Sequence, residues 1–185
     1  MVSQFVSPDD VPLLGAMKFN FPEGTHAIGR LDKESEGLLL LTTNKNITRL
    51  MYSSEKQHTR SYLVMVQNEV SPESLMELQN GIIIRIKDGE NYNAKPVSAE
   101  IIKDPKLIYL FAEDRREIYP HTWLLITLTE GKFRQVRKMV LAIKHKCLRL
   151  IRVSIGDLKL DLSPGEIREV EELNFFKEIG LPIKN

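Results

Sequence analysis

Cysteine occurs once in these 185 residues, at Cys147. That excludes an internal disulfide framework and makes a reducing, cytoplasmic compartment the expectation. No apolar run approaches the length of a bilayer span, and no basic segment followed by an apolar one opens the chain. Neither membrane attachment nor a secretory leader is therefore expected. His26, His58, His121 and His145 lie far apart; with one cysteine they leave no zinc-like ligand spacing, and no metal is expected. A phosphate-cradling GxxxxGK[ST] loop, a GxGxxG fingerprint and a GxSxG elbow are missing too, so nucleotide hydrolysis, dinucleotide redox and α/β-hydrolase chemistry lack support. Internal repeats and low-complexity runs are also missing.

What is present reads as an ordinary folding sequence, 42% hydrophobic and 28% charged, long enough for one domain with its own core. Its 26 basic and 25 acidic side chains nearly cancel, but they are unevenly placed. Between Gly131 and Arg152 stand Lys132, Arg134, Arg137, Lys138, Lys144, Lys146, Arg149 and Arg152 with no acid among them, whereas Asp161, Glu166, Glu169, Glu171, Glu172 and Glu178 dominate the tail. The near-neutral average conceals a basic patch suited to a polyanion.

Periodicity sketches the elements. Gly37 to Thr43 reads as a central strand, with Asn44 capping a helix through Ile47, Leu50 and Met51. Ser61 to Gln67 has the β-branched and aromatic content of a second strand, and Ser71-Pro72 starts a helix that Asn80-Gly81 stops. Ile82 to Ile86, Val97 to Ile102, Trp123 to Thr129 and Cys147 to Ile155 read as further strands, and Phe133 to His145 as a helix with Val136, Met139, Val140 and Ile143 on its core face. Lys103 to Tyr119, with its charged cluster at Glu113 to Glu117, reads as a surface loop. Strands and helices mixed without βαβ alternation favour an α+β fold with a mixed or antiparallel sheet.

The stretch GRLDKESEGLLLLTTN, residues 29 to 44, places Arg30 and Asp32 beside four consecutive leucines. A carboxylate near an arginine has its charged form favoured, which suits a nucleophile or base; the same pair is equally an ion pair that orders a loop. Glu34 and Glu36 are near enough in sequence to raise a two-carboxylate hydrolase, although adjacency alone does not position an acid and a base. In FRQVRKMVLAIKH, Arg134 and Lys138 share a face away from the apolar stripe, and Arg137 lies beside that stripe.

Three segments together resemble the ribosomal RNA pseudouridine synthases of the RsuA class. GRLDKESEGLLLLTTN is similar to the signature around that family's catalytic aspartate, RSYLVMV to the strand carrying its active-site tyrosine, and EGKFRQVRKMVLAIKHKCLRLIRVSIGDLKL to its C-terminal motif. Within the class, DKESEG, PHTWLLIT and IGDLKLDLSPGEIREV look most like the RluE-type enzymes of the large subunit. The resemblance implies Asp32 as nucleophile, Tyr62 against the target base and assisting proton transfer, and Arg137 paired with Asp32. Arg30, Lys132, Arg134, Lys138, Arg149 and Arg152 would contact RNA. It also implies a pseudouridine synthase fold: a mixed, mainly antiparallel bent sheet with flanking helices, two lobes sharing that sheet, and an RNA cleft between them. The implied activity is isomerisation of uridine in ribosomal RNA by a cofactor-free, cytoplasmic monomer. The other reading is a non-catalytic RNA-binding or ribosome-assembly protein on the same fold. Members of the class usually open with a strand carrying a Lys-Pro pair ahead of a segment like Val2-Ser3-Gln4-Phe5, so residues 1–185 are expected to form a single catalytic domain lacking that strand and lacking an N-terminal RNA-binding module. Lys132, Phe133 and Arg60-Ser61 depart from the residues usual at their positions.

Overall fold

A run as apolar as Leu63-Val64-Met65-Val66 cannot be half-solvated; both faces of the strand it forms must be covered. The structure, a computed structural model, describes residues 2–53, 58–112 and 119–181. In chain order its elements are β1 (His26–Ile28), β2 (Glu36–Gly37), β3 (Leu40–Thr42), α1 (Lys45–Ser53), β4 (Arg60–Gln67), α2 (Pro72–Asn80), β5 (Ile82–Arg85), β6 (Asn91–Ala94), β7 (Ser98–Ile102), β8 (His121–Leu128), α3 (Gln135–Ala142), β9 (Cys147–Ile155), β10 (Leu158–Lys159) and α4 (Glu172–Ile179). Short 3-10 turns lie at Leu14–Ala16, Lys87–Gly89 and Pro105–Leu107.

The main sheet runs β10-β9-β4-β8-β7, with β2 added against β9. Every pairing in it is antiparallel except β2 with β9, so the sheet is mixed. Strand β4 is central, and successive residues along it enter opposite cores. Leu63 and Met65 pack with Ile47 and Met51 of α1, Ile151 and Val153 of β9, and Phe176 and Ile179 of α4. Val64 and Val66 pack instead with Leu78 of α2, Val136, Met139 and Val140 of α3, and the β5–β6 hairpin. Burying each Leu or Ile of this set contributes about 1.5–3 kcal/mol, which is why the unbroken apolar runs of β4 and β8 fold as two-faced strands.

Local chemistry sets the helix ends. The Ser71 hydroxyl accepts from the Ser74 amide with Pro72 at the first helical position, and Gly81 closes α2 at φ 102°. The Asn44 side chain accepts from the Asn46 amide ahead of α1. Helix α3 is shorter than its apolar periodicity suggests: Arg134 takes a left-handed conformation at φ 53°, delaying the start to Gln135, and Lys144 at φ 67° follows the end.

Two further expectations are corrected. Gly37 to Thr43 is not one central strand: β2 joins β9, while β3 leaves to pair with β1 in a separate two-stranded ribbon. The run is apolar because Leu38 and Leu40 enter the core from the crossing between sheets. The Lys103 to Tyr119 stretch is not simply surface, since Tyr109 and Ala112 are buried and the Tyr109 hydroxyl donates to the Leu162 carbonyl; its Glu113 to Glu117 cluster lies outside the described residues. The acidic tail forms α4, whose Phe176 and Ile179 reach the core. Among the described residues no helix is long and apolar enough to cross a membrane.

Candidate active site

The GRLD stretch leaves β1 through Gly29, whose φ of 75° favours a residue without a side chain. Leu31 is then held from both sides by one hydroxyl. Ser3 Oγ donates to the Leu31 carbonyl at 3.2 Å and accepts from the Leu31 amide at 2.9 Å. The next residue is Asp32, whose carbonyl accepts from the Ser35 amide at 2.8 Å and closes a turn. Asp32 is thus fixed at both ends of a four-residue turn and lines a cleft of about 450 Å³, within the ~300–1,000 Å³ typical of ligand sites.

Gly37 anchors the far side of that turn. It has φ 104°, and a Cβ there would stand 2.4 Å from the Arg152 carbonyl oxygen. The Leu38 amide donates to that carbonyl, and Arg152 Nε donates to the Leu38 carbonyl, each at 2.8 Å. Arg152 is 5% exposed, borders the cleft, and pairs in register with Tyr62 across β4 and β9. The register of β4 on β9 shifts between Ser61 and Tyr62, leaving Val153 of β9 as the extra residue, a bulge of the kind found beside functional sites. Tyr62 lines the same cleft as Asp32.

The third wall is the β8–α3 connection, Thr129 to Arg134. Gln135, 3% exposed, is its hub: Nε2 donates to Glu130 at 2.6 Å and Oε1 accepts from the Lys132 amide at 2.9 Å, while its own amide donates to the Lys132 carbonyl at 3.0 Å. The Tyr92 hydroxyl donates to the other Glu130 oxygen, and that bond, aided by burial and the Glu130 charge, raises the Tyr92 pKa above its ordinary value. The Lys132 ammonium sits 5.1 Å from the Tyr92 ring centroid.

Of the nine residues singled out from the sequence, Asp32, Tyr62, Arg30, Lys132, Arg134 and Arg152 border this one cleft. Arg137, Lys138 and Arg149 do not. The expected ion pair of Arg137 with Asp32 is absent. Arg137 instead donates through Nη2 to the Glu34 carbonyl at 2.6 Å and to Ser35 Oγ at 3.5 Å, with Nη1 4.0 Å from the Glu34 carboxylate. The helical register of α3 carries it to the back of the Asp32 turn, where it pins the turn with its side chain 11% exposed. Arg134 Nη2 completes the clamp on Glu34 Oε2 at 3.0 Å, and the hydrogen bond and charge of Arg134, with the charge of Arg137, hold the Glu34 carboxyl below its ordinary 4.5.

Arg149 lies off the cleft lining: it shares its side of β9 with Ile151, opposite Leu150 and Arg152, and makes a two-point ion pair with Glu36 at 2.6 and 3.0 Å. Glu34 and Glu36 are thereby committed to arginines, which removes the two-carboxylate reading. Lys138 donates to the Arg85 carbonyl at 2.7 Å and stands 5.4 Å from the Phe133 ring centroid.

Several residues of the site carried no signal that sequence reasoning could isolate. Ser3 acts across 28 positions, and Arg60 and His58 reach the cleft from the start of β4 and the loop before it. His58 donates through Nδ1 to the Ile179 carbonyl at 2.9 Å, tying α4 to the cleft floor. The Cys147 thiol is pushed up by burial, so it stays protonated and is no rival nucleophile. The geometry offers a carboxylate and an aromatic ring in one cleft, with cations at its mouth: a site for a planar group carried on an anionic chain.

Known proteins can be set beside this geometry. Residues 15–142 match the family model described as RNA pseudouridylate synthase. The "Ribosomal large subunit pseudouridine synthase E" of Vibrio vulnificus (strain CMCP6) is 38% identical over 147 residues, covering 78% of this chain and 61% of that protein. The protein of the same name from Xanthomonas axonopodis pv. citri (strain 306) is 33% identical over 166 residues, covering 87% and 83%. A solved structure titled "Crystal structure of pseudouridylate synthase" superposes with a TM-score of 0.67 at 28% identity, over 87% of this chain and 63% of that one. The chain thus spans about three fifths of the Vibrio relative and of the solved chain. Its mixed sheet and flanking helices are the α+β pseudouridine synthase fold. The family match takes in Asp32, Tyr62 and the whole β8–α3 connection, and the chain belongs to the RNA pseudouridylate synthase family.

Proposed function

We propose that this protein isomerises a specific uridine of ribosomal RNA, of the large subunit, to pseudouridine, and that it works as a monomer. The observation that carries the reading is the convergence of Asp32, held in a turn tied at Leu31, Ser35 and Gly37, with Tyr62 in one cation-rimmed cleft supplied by one chain. In the reaction the N1–C1′ glycosidic bond breaks, the uracil turns, C5 bonds to C1′, the C5 proton leaves and N1 takes up a proton. The exchange is atom-neutral and redox-neutral, so no hydride carrier enters the balance.

The base must first leave its stack, at a cost of a few kcal/mol, part of which stacking on an aromatic side chain returns. Tyr62 is assigned that contact and the proton movement at the base. Asp32 is assigned the reaction centre. Arg137 is a positioning residue, holding the Glu34–Ser35 end of the turn that presents Asp32. Arg30, Lys132 and Arg134 are assigned to phosphates, which accept either type of cation.

The test is pseudouridine mapping of ribosomal RNA from cells with and without the gene, complemented by wild type or by Asp32→Asn. One site should vanish and return only with wild type. An unchanged map would end the isomerase reading, and restoration by Asp32→Asn would remove Asp32 from the chemistry. Asp32→Asn should keep its affinity for the RNA.

A further inference from the structure

Phe133 stands in the middle of the basic β8–α3 connection, and neither the core nor the chemistry uses it. The residue is 70% exposed although it borders the cleft. Single exposed apolar residues are common on protein surfaces, but this one is presented by a rigid turn. Lys132 and Gln135 exchange hydrogen bonds across it, and the left-handed Arg134 follows it immediately. The Lys138 ammonium lies 5.4 Å from the ring centroid, and Lys132, Arg134 and Arg30 share the cleft with the ring. A planar apolar surface set among cations fits a flat ring tethered to phosphates on either side.

We propose that Phe133 is a stacking platform for an unpaired nucleobase next to the target uridine, so that the protein recognises a single-stranded RNA segment by two aromatic contacts, Tyr62 inside the cleft and Phe133 at its mouth. This deepens the assignment of the cleft to RNA and rests on it. Stacking on an aromatic side chain tolerates any base, because every base has a π-face, while the 2′-hydroxyls and splayed bases of loops and bulges are what proteins read in RNA. Phe133 thus selects for an unpaired neighbour rather than for a particular sequence. Charge complementarity favours RNA over an apolar protein partner at this position, since the ring is flanked by cations and not by other exposed apolar side chains of the cleft.

The experiment is an anisotropy titration of a short fluorescein-labelled unpaired RNA, and of the same RNA annealed to its complement, with wild type, Phe133→Ala and Phe133→Trp across a range of salt concentrations. Phe133→Ala should weaken binding to the unpaired RNA about tenfold without changing the slope of log affinity against log salt, because no charge is removed. Phe133→Trp should restore affinity, and its indole emission should be quenched on RNA binding; Trp123 is 5% exposed and supplies a constant background. Unchanged affinity in Phe133→Ala, failure of tryptophan to rescue, a changed salt slope, or equal loss with the duplex would each overturn the platform. Affinity is read without turnover, so the outcomes separate. A wild type that binds but modifies no uridine ends the isomerase reading and leaves the platform to be judged by Phe133→Ala. Intact modification with unchanged Phe133→Ala affinity ends the platform alone. A wild type that binds no unpaired RNA overturns both this platform and the RNA cleft.

Discussion

Gly37 shows how one residue can hold a site it never touches. With φ 104° and an added Cβ at 2.4 Å from a backbone oxygen, Gly37→Ala combines left-handed strain with overpacking, together about 3 kcal/mol. The urea midpoint should fall accordingly with an unchanged denaturant slope, and turnover should drop because the Asp32 turn loses its anchor on β9. Tyr62 separates stacking from proton transfer. Tyr62→Phe keeps the ring and should hold RNA affinity within about twofold while lowering turnover about 100-fold, the lower end of general acid–base effects. Equal losses in affinity and turnover would instead make the hydroxyl a binding group.

Between elements, the contact that matters most is the clamp of α3 on the Asp32 turn. Glu34 meets Arg134 through a hydrogen bond and an ion pair, and Arg137 holds the Glu34 backbone carbonyl. Because the Glu34 carboxyl is lowered in the folded protein, its contribution to stability is present in full above the unfolded value near 4.5 and is lost as pH falls through the lower folded-state value. Comparing wild type with Glu34→Gln by thermal unfolding at a series of pH values should show a gap at neutral pH that closes in acid. A gap independent of pH would show that the clamp does not depend on the Glu34 charge. The pair is largely exposed, so the gap is small and shrinks in salt.

For the whole molecule, a formal net charge of +1 gives no overall attraction for a polyanion; the fold gathers Arg30, Arg60, Lys132 and Arg134 at one cleft and sets Arg149 against Glu36. Lys132→Ala should weaken RNA binding and flatten the salt slope by about one unit. Arg149→Ala should leave both unchanged and lower stability, since Glu36 loses its two-point partner. A changed slope in Arg149→Ala would return that arginine to the interface.

The sequence by itself determined β4, β8, β9, α2 and the apolar face of α3, because continuous apolar runs, a Ser-Pro start and helical spacing are local signals. The resemblance of its segments to a known family also singled out Asp32 and Tyr62, which the fold brings to one cleft. Only the tertiary structure decided the rest. Leu38 to Leu41 is apolar like a central strand yet links two sheets, since burial fixes that a residue is apolar and not which strand it pairs with. Arg137 reads as the partner of Asp32 and Arg149 as an RNA-facing cation, yet helix register and strand alternation carry them to Glu34 and Glu36. Ser3 reached Leu31 by a contact no spacing can encode, and the left-handed turn at Arg134, which sets the direction of Phe133, depended on the buried Gln135 network. Partner choice among like residues is a property of three-dimensional position, and that is what the chain acquires only when it folds.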